Sequence, residues 1–203
     1  EIASCLVGSE MCIRDRVMVV GMRDLTYYIG VTLDGFIAGP DDEVDFYPVT
    51  PAFAEVLGTE FADIQPAHVR AAGGGEDEPL TRFDTVVMGR RTYEPALQVG
   101  ITDPYAHLRT VVFSRSLDDP GEANVEVVGT DPVARVRQLK AEDGLGIYLA
   151  GGASLAGVLL DEIDRLIVKK YPVIAGTGIP MARHPFSPTR FALDPVSYTH
   201  LRA

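Results

Sequence analysis

Two adjacent arginines stand out in "TVVMGRRTYEPAL", residues 85–97, because the chain carries 29 acidic against 18 basic residues and a formal charge of −11. Arg90 and Arg91 follow Gly89, where an apolar β-branched run gives way to a helix-forming one. The first N–H groups of a helix have no partner within it and form the positive end of its dipole. A strand–Gly–helix turn is therefore a ready site for a phosphate. Gly89 permits close backbone approach, Thr92 is a candidate cap, and two guanidinium groups add charge and paired hydrogen bonds. The same residues would equally serve a capped helix whose arginines pair with acidic neighbours.

Two further segments have a related form. In "VVFSRS", Ser114 and Arg115 end a strand, and a small hydroxyl beside an arginine suits a phosphate monoester such as the 2′-phosphate of NADP. A plain strand-terminal turn is the competing reading. In "YLAGGASL", Gly151 and Gly152 follow a buried strand and lead through Ala153 to Ser154, the predicted helix cap. Neither a G-x-G-x-x-G nor a G-x-x-x-x-G-K-[ST] pattern is present. Ligands of open α/β sheets lie outside the carboxyl ends of strands, so the shared strand-end placement outweighs any one segment. Asp34 after the first strand is a candidate proton relay, although Asp34-Gly35 is also ordinary turn chemistry. His68, His107 and His184 share no metal-ligand spacing, and no metal is expected. "GTGIP", residues 176–180, reads as a mobile turn.

The elements that must position these residues alternate. Strands are predicted at 25–32, 84–89, 109–115, 123–129, 146–152 and 165–174, with another beginning at 190–194. One or two short helices fit 51–70, and 71–82 reads as a flexible acidic loop. Asp131 with Pro132 is a helix start, with Val133, Val136 and Leu139 on one side. The alternation predicts a three-layer α/β domain containing parallel strands, single over 22–195.

Residues 1–21 and 196–203 resemble translated sequencing-adapter read-through and are expected to be non-native or disordered. The native chain would then begin at Met18 or Met22, and the strand begun at Arg190 would have lost its hairpin partner. The two cysteines, Cys5 and Cys12, both lie in the opening segment, so disulfides and Cys-bound metal are not expected. The acidic balance argues against nucleic acid or anionic lipid as partner. No apolar run approaches the length of a membrane span, and the lack of cysteine beyond the opening segment fits a cytoplasmic location.

"YYIGVTLDGFIAG", "FDTVVMGRRTYEPAL", "RTVVFSRSL" and "IYLAGGASLAGVLL…DRLIVKKYPVIAGTGIP" resemble, in order and spacing, the dihydrofolate-reductase-like family. More narrowly, they are similar to the branch related to the C-terminal reductase domain of bifunctional riboflavin-synthesis enzymes. The resemblance covers nearly all of 25–194. It implies an α/β/α architecture around a mixed, mostly parallel sheet, NADPH as cofactor, and commonly a homodimer. Gly89, Arg90, Arg91 and Thr92 would hold the pyrophosphate, and Ser114 with Arg115 the 2′-phosphate. Gly151, Gly152, Ala153 and Ser154 would lie against the cofactor, while Gly30, Thr32 and Ile37 flank the nicotinamide. The implied reaction is hydride transfer to a C=N or C=O of a pteridine or aminopyrimidine-ribotide-like substrate, as in 5-amino-6-(5-phosphoribosylamino)uracil reductase and dihydrofolate reductase.

The departures fall on the substrate side. The chain has no Trp, whereas dihydrofolate reductases carry a Trp-containing loop. Only Asp45, Glu55 or Asp63 is available for the pterin-binding carboxylate. Tyr28 stands where riboflavin-pathway reductases carry a Lys, and the H-x-E and P-C-x-x-C zinc motifs of their deaminase domain do not occur. Asp34, Asp45 or a bound water would deliver the proton. The alternative is a non-catalytic NADP(H)-binding sensor or assembly subunit.

Overall fold

The computed structural model describes residues 9–13 and 21–193. Six strands run parallel: β2 (Leu25–Val31), β4 (Phe83–Gly89), β5 (Arg109–Phe113), β6 (Val125–Val128), β7 (Gly146–Gly151) and β8 (Arg165–Lys170). Their spatial order is β8-β2-β7-β4-β5-β6. Such strands are covered on both faces, so they need continuous rather than alternating apolar residues, and "TVVM" in β4 and "TVVF" in β5 are buried throughout. Several predicted strands run past the observed ends. β5 stops at Phe113 and β8 at Lys170, because the following residues turn away to build the carboxyl edge.

Helices cover both faces. On one side α4 (Pro132–Ala141) and α5 (Ala153–Val158) pack Val136, Leu139, Leu155 and Ala156 against Leu25, Tyr27, Val87, Val111, Ile147 and Leu149. On the other, α1 (Pro51–Glu60), a 3-10 turn at Ala62–Ile64 and α3 (Arg90–Gln98) cover Tyr28, Val86, Met88, Val112 and Ile167. The predicted α/β/α layering is therefore present. Asp131 caps α4 as expected, its carboxylate accepting from the N–H groups of Val133 and Ala134 at 2.9 and 3.2 Å.

The segment predicted as a flexible loop, 71–82, is anchored. α2 (Ala67–Ala72) runs into its first two residues, the Arg70 guanidinium donates to the Glu78 carbonyl, and Leu80 packs on the core. Asp63, buried in the 3-10 turn, accepts from the N–H groups of Thr81, Arg82 and Phe83 at 3.0, 2.6 and 3.1 Å.

Two peripheral features differ from expectation. "GTGIP" is not a free turn, because β9 (Ile179–Pro180) pairs with β3 (Phe36–Ala38) as a second, two-stranded sheet. Gly178 makes this possible, since a Cβ there would lie 2.2 Å from the Ala38 carbonyl oxygen. Within the segment expected to be non-native or disordered, 1–21, β1 (Ser9–Ile13) pairs antiparallel with β8. The last predicted strand shrinks to β10 (Ala192–Leu193), and its partner is β1. The other suspect segment, 196–203, lies outside the described residues, as do Met18 and Pro195. Among the described residues, no helix is long and apolar enough to cross a membrane.

Candidate active site

All six parallel strands end on one edge, and β7, β4 and β5 are neighbours there. The three segments singled out by sequence are therefore consecutive along that edge. In register, Met88 of β4 faces Gly151, while Gly89 faces Phe113. A Cβ on Gly152 would lie 3.6 Å from the Thr92 Oγ1, and the Arg90 guanidinium donates to the Ser116 hydroxyl at 2.8 Å. The three turns converge.

The α3 start is open. Gly89 occupies the N-cap with extended backbone, and no side chain caps the helix. Thr92 is therefore not a cap; it sits inside the first turn, next to Gly152. A Cβ on Gly89 would meet no atom within 4 Å, so the fold itself does not require glycine there. Arg90 also pairs with Glu94 at 3.1 Å, and Arg91 donates to the Asp42 carboxylate on the loop after β3. These pairs are exposed and individually worth about 0–1 kcal/mol, so an incoming phosphate can displace them.

Ser114 holds its own turn, its hydroxyl accepting from the N–H groups of Ser116 and Leu117 at 3.2 and 3.0 Å. Arg115 beside it is exposed and has no ion-pair partner among the described residues. Gly151 and Gly152 adopt φ of 123° and 94°, in the left-handed region where side chains are strained. Ser154 does not cap α5. Gly152 takes that position, because its left-handed backbone starts the helix two residues before the Ser154 hydroxyl could cap it.

The nicotinamide-flanking candidates divide. Ile37 packs on the small cluster of Ala38, Ala153 and Ile179, which joins β3 and β9 to the β7 turn. Gly30 is committed elsewhere: a Cβ there would lie 2.8 Å from the Tyr171 ring, so its bareness seats that ring. Thr32 is fully buried; its hydroxyl donates to Asp34 at 2.6 Å and accepts from the Phe36 N–H at 3.0 Å. Asp34 in turn accepts from the N–H groups of Ala175 and Gly176 at 3.1 and 2.7 Å. The Thr32 hydroxyl and these N–H groups hold its carboxyl down at about 2. An acid that is ionised throughout the neutral range has no proton to deliver, so Asp34 ties two loops together instead.

The substrate-side candidates do not come together either. Asp45 and Glu55 are exposed, on the loop before α1 and on α1. Asp63 is buried under β4 and spent on backbone N–H groups, so it is a structural carboxylate. A different cluster occupies the end of β2 and β8. Tyr28 stacks against Phe61 with ring centroids 4.7 Å apart, and Tyr47 against Tyr171 at 4.4 Å. The Lys169 Nζ lies 4.6 Å from the Tyr28 ring centroid and 5.9 Å from that of Tyr171. Burial pushes the Lys169 amine down to about 8, while burial, with Tyr171 and Glu60, holds the Tyr28 hydroxyl well above its usual range. Sequence reasoning missed Lys169, Tyr171, Tyr47 and Glu60. The one available signal was alternation in β8, which puts Lys169 on the same face as buried Ile167.

A family model described as the RibD C-terminal domain matches residues 23–196. YwjB of Bacillus subtilis (strain 168), described as uncharacterized, is 30% identical over 173 residues, covering 84% of this chain and 89% of that protein. YyaP of the same organism, also uncharacterized, is 25% identical over 172 residues, covering 78% and 80%. Among solved structures, a putative riboflavin biosynthesis protein from Shewanella sp. PV-4 superposes with a TM-score of 0.57 at 22% identity, covering 81% of this chain and 86% of that one. A diaminohydroxyphosphoribosylaminopyrimidine deaminase/5-amino-6-(5-phosphoribosylamino)uracil reductase from Thermotoga maritima gives 0.52 at 16% identity. There the match covers 85% of this chain but 56% of the longer one. These likenesses establish the shared fold.

Proposed function

This chain belongs to the RibD C-terminal domain family, and from that premise we propose that it is an NADPH-dependent reductase acting on a small heterocycle of the pteridine or aminopyrimidine-ribotide type. The observation that carries the reading is the convergence of three turns on one sheet edge, with the α3 start uncapped and Arg115 unpaired among the described residues.

The residues present fit a phosphorylated dinucleotide. Gly89 leaves open space above the α3 N-terminus, where the N–H groups of Arg90, Arg91 and Thr92 would receive the pyrophosphate. Arg90 and Arg91 would exchange their exposed carboxylate partners for phosphate oxygens, and Arg115 would take the 2′-phosphate. Gly151 and Gly152 would lie under the dinucleotide, since backbone at their φ values excludes side chains at little cost. Ile37, packed on the Ala38, Ala153 and Ile179 cluster, would support one side of the nicotinamide. NADPH, when bound, supplies the hydride. The protein's part is to fix that group against the acceptor and keep water out.

The test is oxidation of NADPH followed at its own absorbance, with pteridines, aminopyrimidine ribotides and quinonoid compounds as acceptors. Turnover with at least one class is expected. Tight NADPH binding with no turnover across the panel would overturn the reductase reading in favour of a cofactor-binding sensor or assembly subunit.

A further inference from the structure

One titratable group at the carboxyl edge takes no part in the reading above. Lys169 is the penultimate residue of β8 and sits in register with Gly30 of β2. It projects on the sheet face that carries Tyr28 and Ile167, since a Cβ on Gly30 would lie 3.8 Å from the Lys169 Cε. The absent side chain at Gly30 makes the room that Tyr171 and the lysine stem occupy. Beside the amine stand Tyr28 from β2 and Tyr171 just past β8, and Tyr47 from the loop before α1 stacks on Tyr171. The Tyr47 hydroxyl donates to the Phe36 carbonyl at 2.8 Å, which ties this wall to the β2–β3 loop and so to Ile37. Two carboxylates act on the cluster's tyrosines: Glu60, at the end of α1, on Tyr28, and Asp34 on Tyr47.

Flat aromatic walls favour a flat conjugated guest, and a half-buried ammonium among them favours a guest that becomes negative. Hydride arriving at a conjugated carbonyl does just that, because it drives an electron pair onto the oxygen. Resting on the reductase reading, we propose that Lys169 is a catalytic residue whose ammonium contacts the carbonyl oxygen of a flat conjugated acceptor and protonates it as hydride is delivered. In balance, the acceptor carbon gains a C–H bond, the carbonyl π pair moves to oxygen, and one Lys169 N–H bond breaks as the O–H bond forms. NADPH loses two electrons, the acceptor gains them, and the neutral Lys169 amine recovers its proton from water. Its depressed proton affinity suits this role: an ordinary lysine holds its proton too tightly near neutrality, whereas one brought down to about 8 is charged and yet willing to give it up.

The test uses menadione, a flat dicarbonyl acceptor with no ionisation of its own, so any pH dependence belongs to the protein. The chain has 8 Tyr and no Trp, so quenching of tyrosine emission reads menadione binding without NADPH. Wild type is expected to bind menadione in the absence of cofactor, and Lys169→Gln to turn it over at least about a hundredfold more slowly, in line with a lost general acid. Wild-type kcat should fall as pH rises through about 8, and Lys169→Gln should lack that limb. Lys169→Met is the folding control: relieving a desolvated charge should leave its melting temperature at pH 7 equal to or above that of wild type, with NADPH affinity unchanged.

Equal kcat and an unchanged pH profile in Lys169→Gln would overturn the proposal, as would wild type that binds NADPH but neither binds nor reduces menadione. A wild-type protein that fails to bind NADPH sinks the reductase reading. In that case menadione quenching that is the same in wild type and Lys169→Gln removes the acceptor contact as well.

Discussion

The two edges of the parallel sheet use charge in opposite ways. At the amino edge, charges are buried or half-buried and matched: Arg23 with Asp84, Lys140 with Asp164, Arg165 with Asp24, and Asp63 with Arg70. Their carboxylates also collect backbone N–H groups, as Asp164 does from Leu25 at 2.8 Å and Asp84 from Leu145 at 2.7 Å. At the carboxyl edge, Arg90 and Arg91 hold exposed, single-carboxylate pairs, Arg115 holds none among the described residues, and the α3 N-terminus lacks a cap. One edge spends its charge on closing the fold, and the other keeps charge available to an outside anion. An ion pair stabilises a fold when its loss strands a buried partner, and serves a ligand when its loss costs little.

The largest effect should come from the closed edge. Asp63→Ala strands Arg70 and three backbone N–H groups, and is expected to lower unfolding free energy by about 3–5 kcal/mol. Urea unfolding measures it; a loss under about 1 kcal/mol would erase the distinction between the edges. On the open edge, Arg115→Ala should leave stability unchanged and weaken NADPH by about 1.5–3 kcal/mol while sparing NADH. Calorimetric titration with both cofactors decides it, and equal loss for both removes the 2′-phosphate assignment.

Arg91→Glu should weaken NADPH and NADH alike, by at least one charge-assisted contact of about 1.5 kcal/mol. Unchanged affinities would return Gly89–Thr92 to a purely structural turn. The smallest effect concerns Asp34, whose folded-state value of about 2 lies below its ordinary 3.8. A depressed carboxylate contributes stability that is full above pH 3.8 and lost as pH falls through about 2. Asp34→Asn should therefore flatten the acid limb of a melting-temperature profile between those values, while leaving neutral-pH NADPH affinity unchanged.

The strand-end turns were legible because each of them is local. Gly89, Arg90 and Arg91, Ser114 and Arg115, and Gly151 with Gly152 each occupy a strand end that apolar runs and glycine mark in the sequence. Capping was less legible. Thr92 and Ser154 have the right chemistry for caps, but Gly89 and Gly152 take those positions because the chain turns two or three residues earlier than hydroxyl preference alone indicates. The candidate carboxylates were less legible for a different reason. Asp34, Asp45 and Asp63 were attractive as isolated carboxylates, yet what a carboxylate does depends on which N–H groups fold against it.

By itself the sequence determined the layered α/β architecture, the order of the six parallel strands, and the residues that stand at their ends. Those follow from periodicity, β-branching and glycine placement, all properties of neighbouring positions. Only the tertiary structure decided that the three turns share one edge, that Asp63 is spent on closing the opposite one, and that Lys169 stands over the Tyr28 ring. Residues 28 and 169 meet because β8 pairs beside β2, and pairing across that separation is set by the burial of the whole sheet rather than by any stretch of the chain.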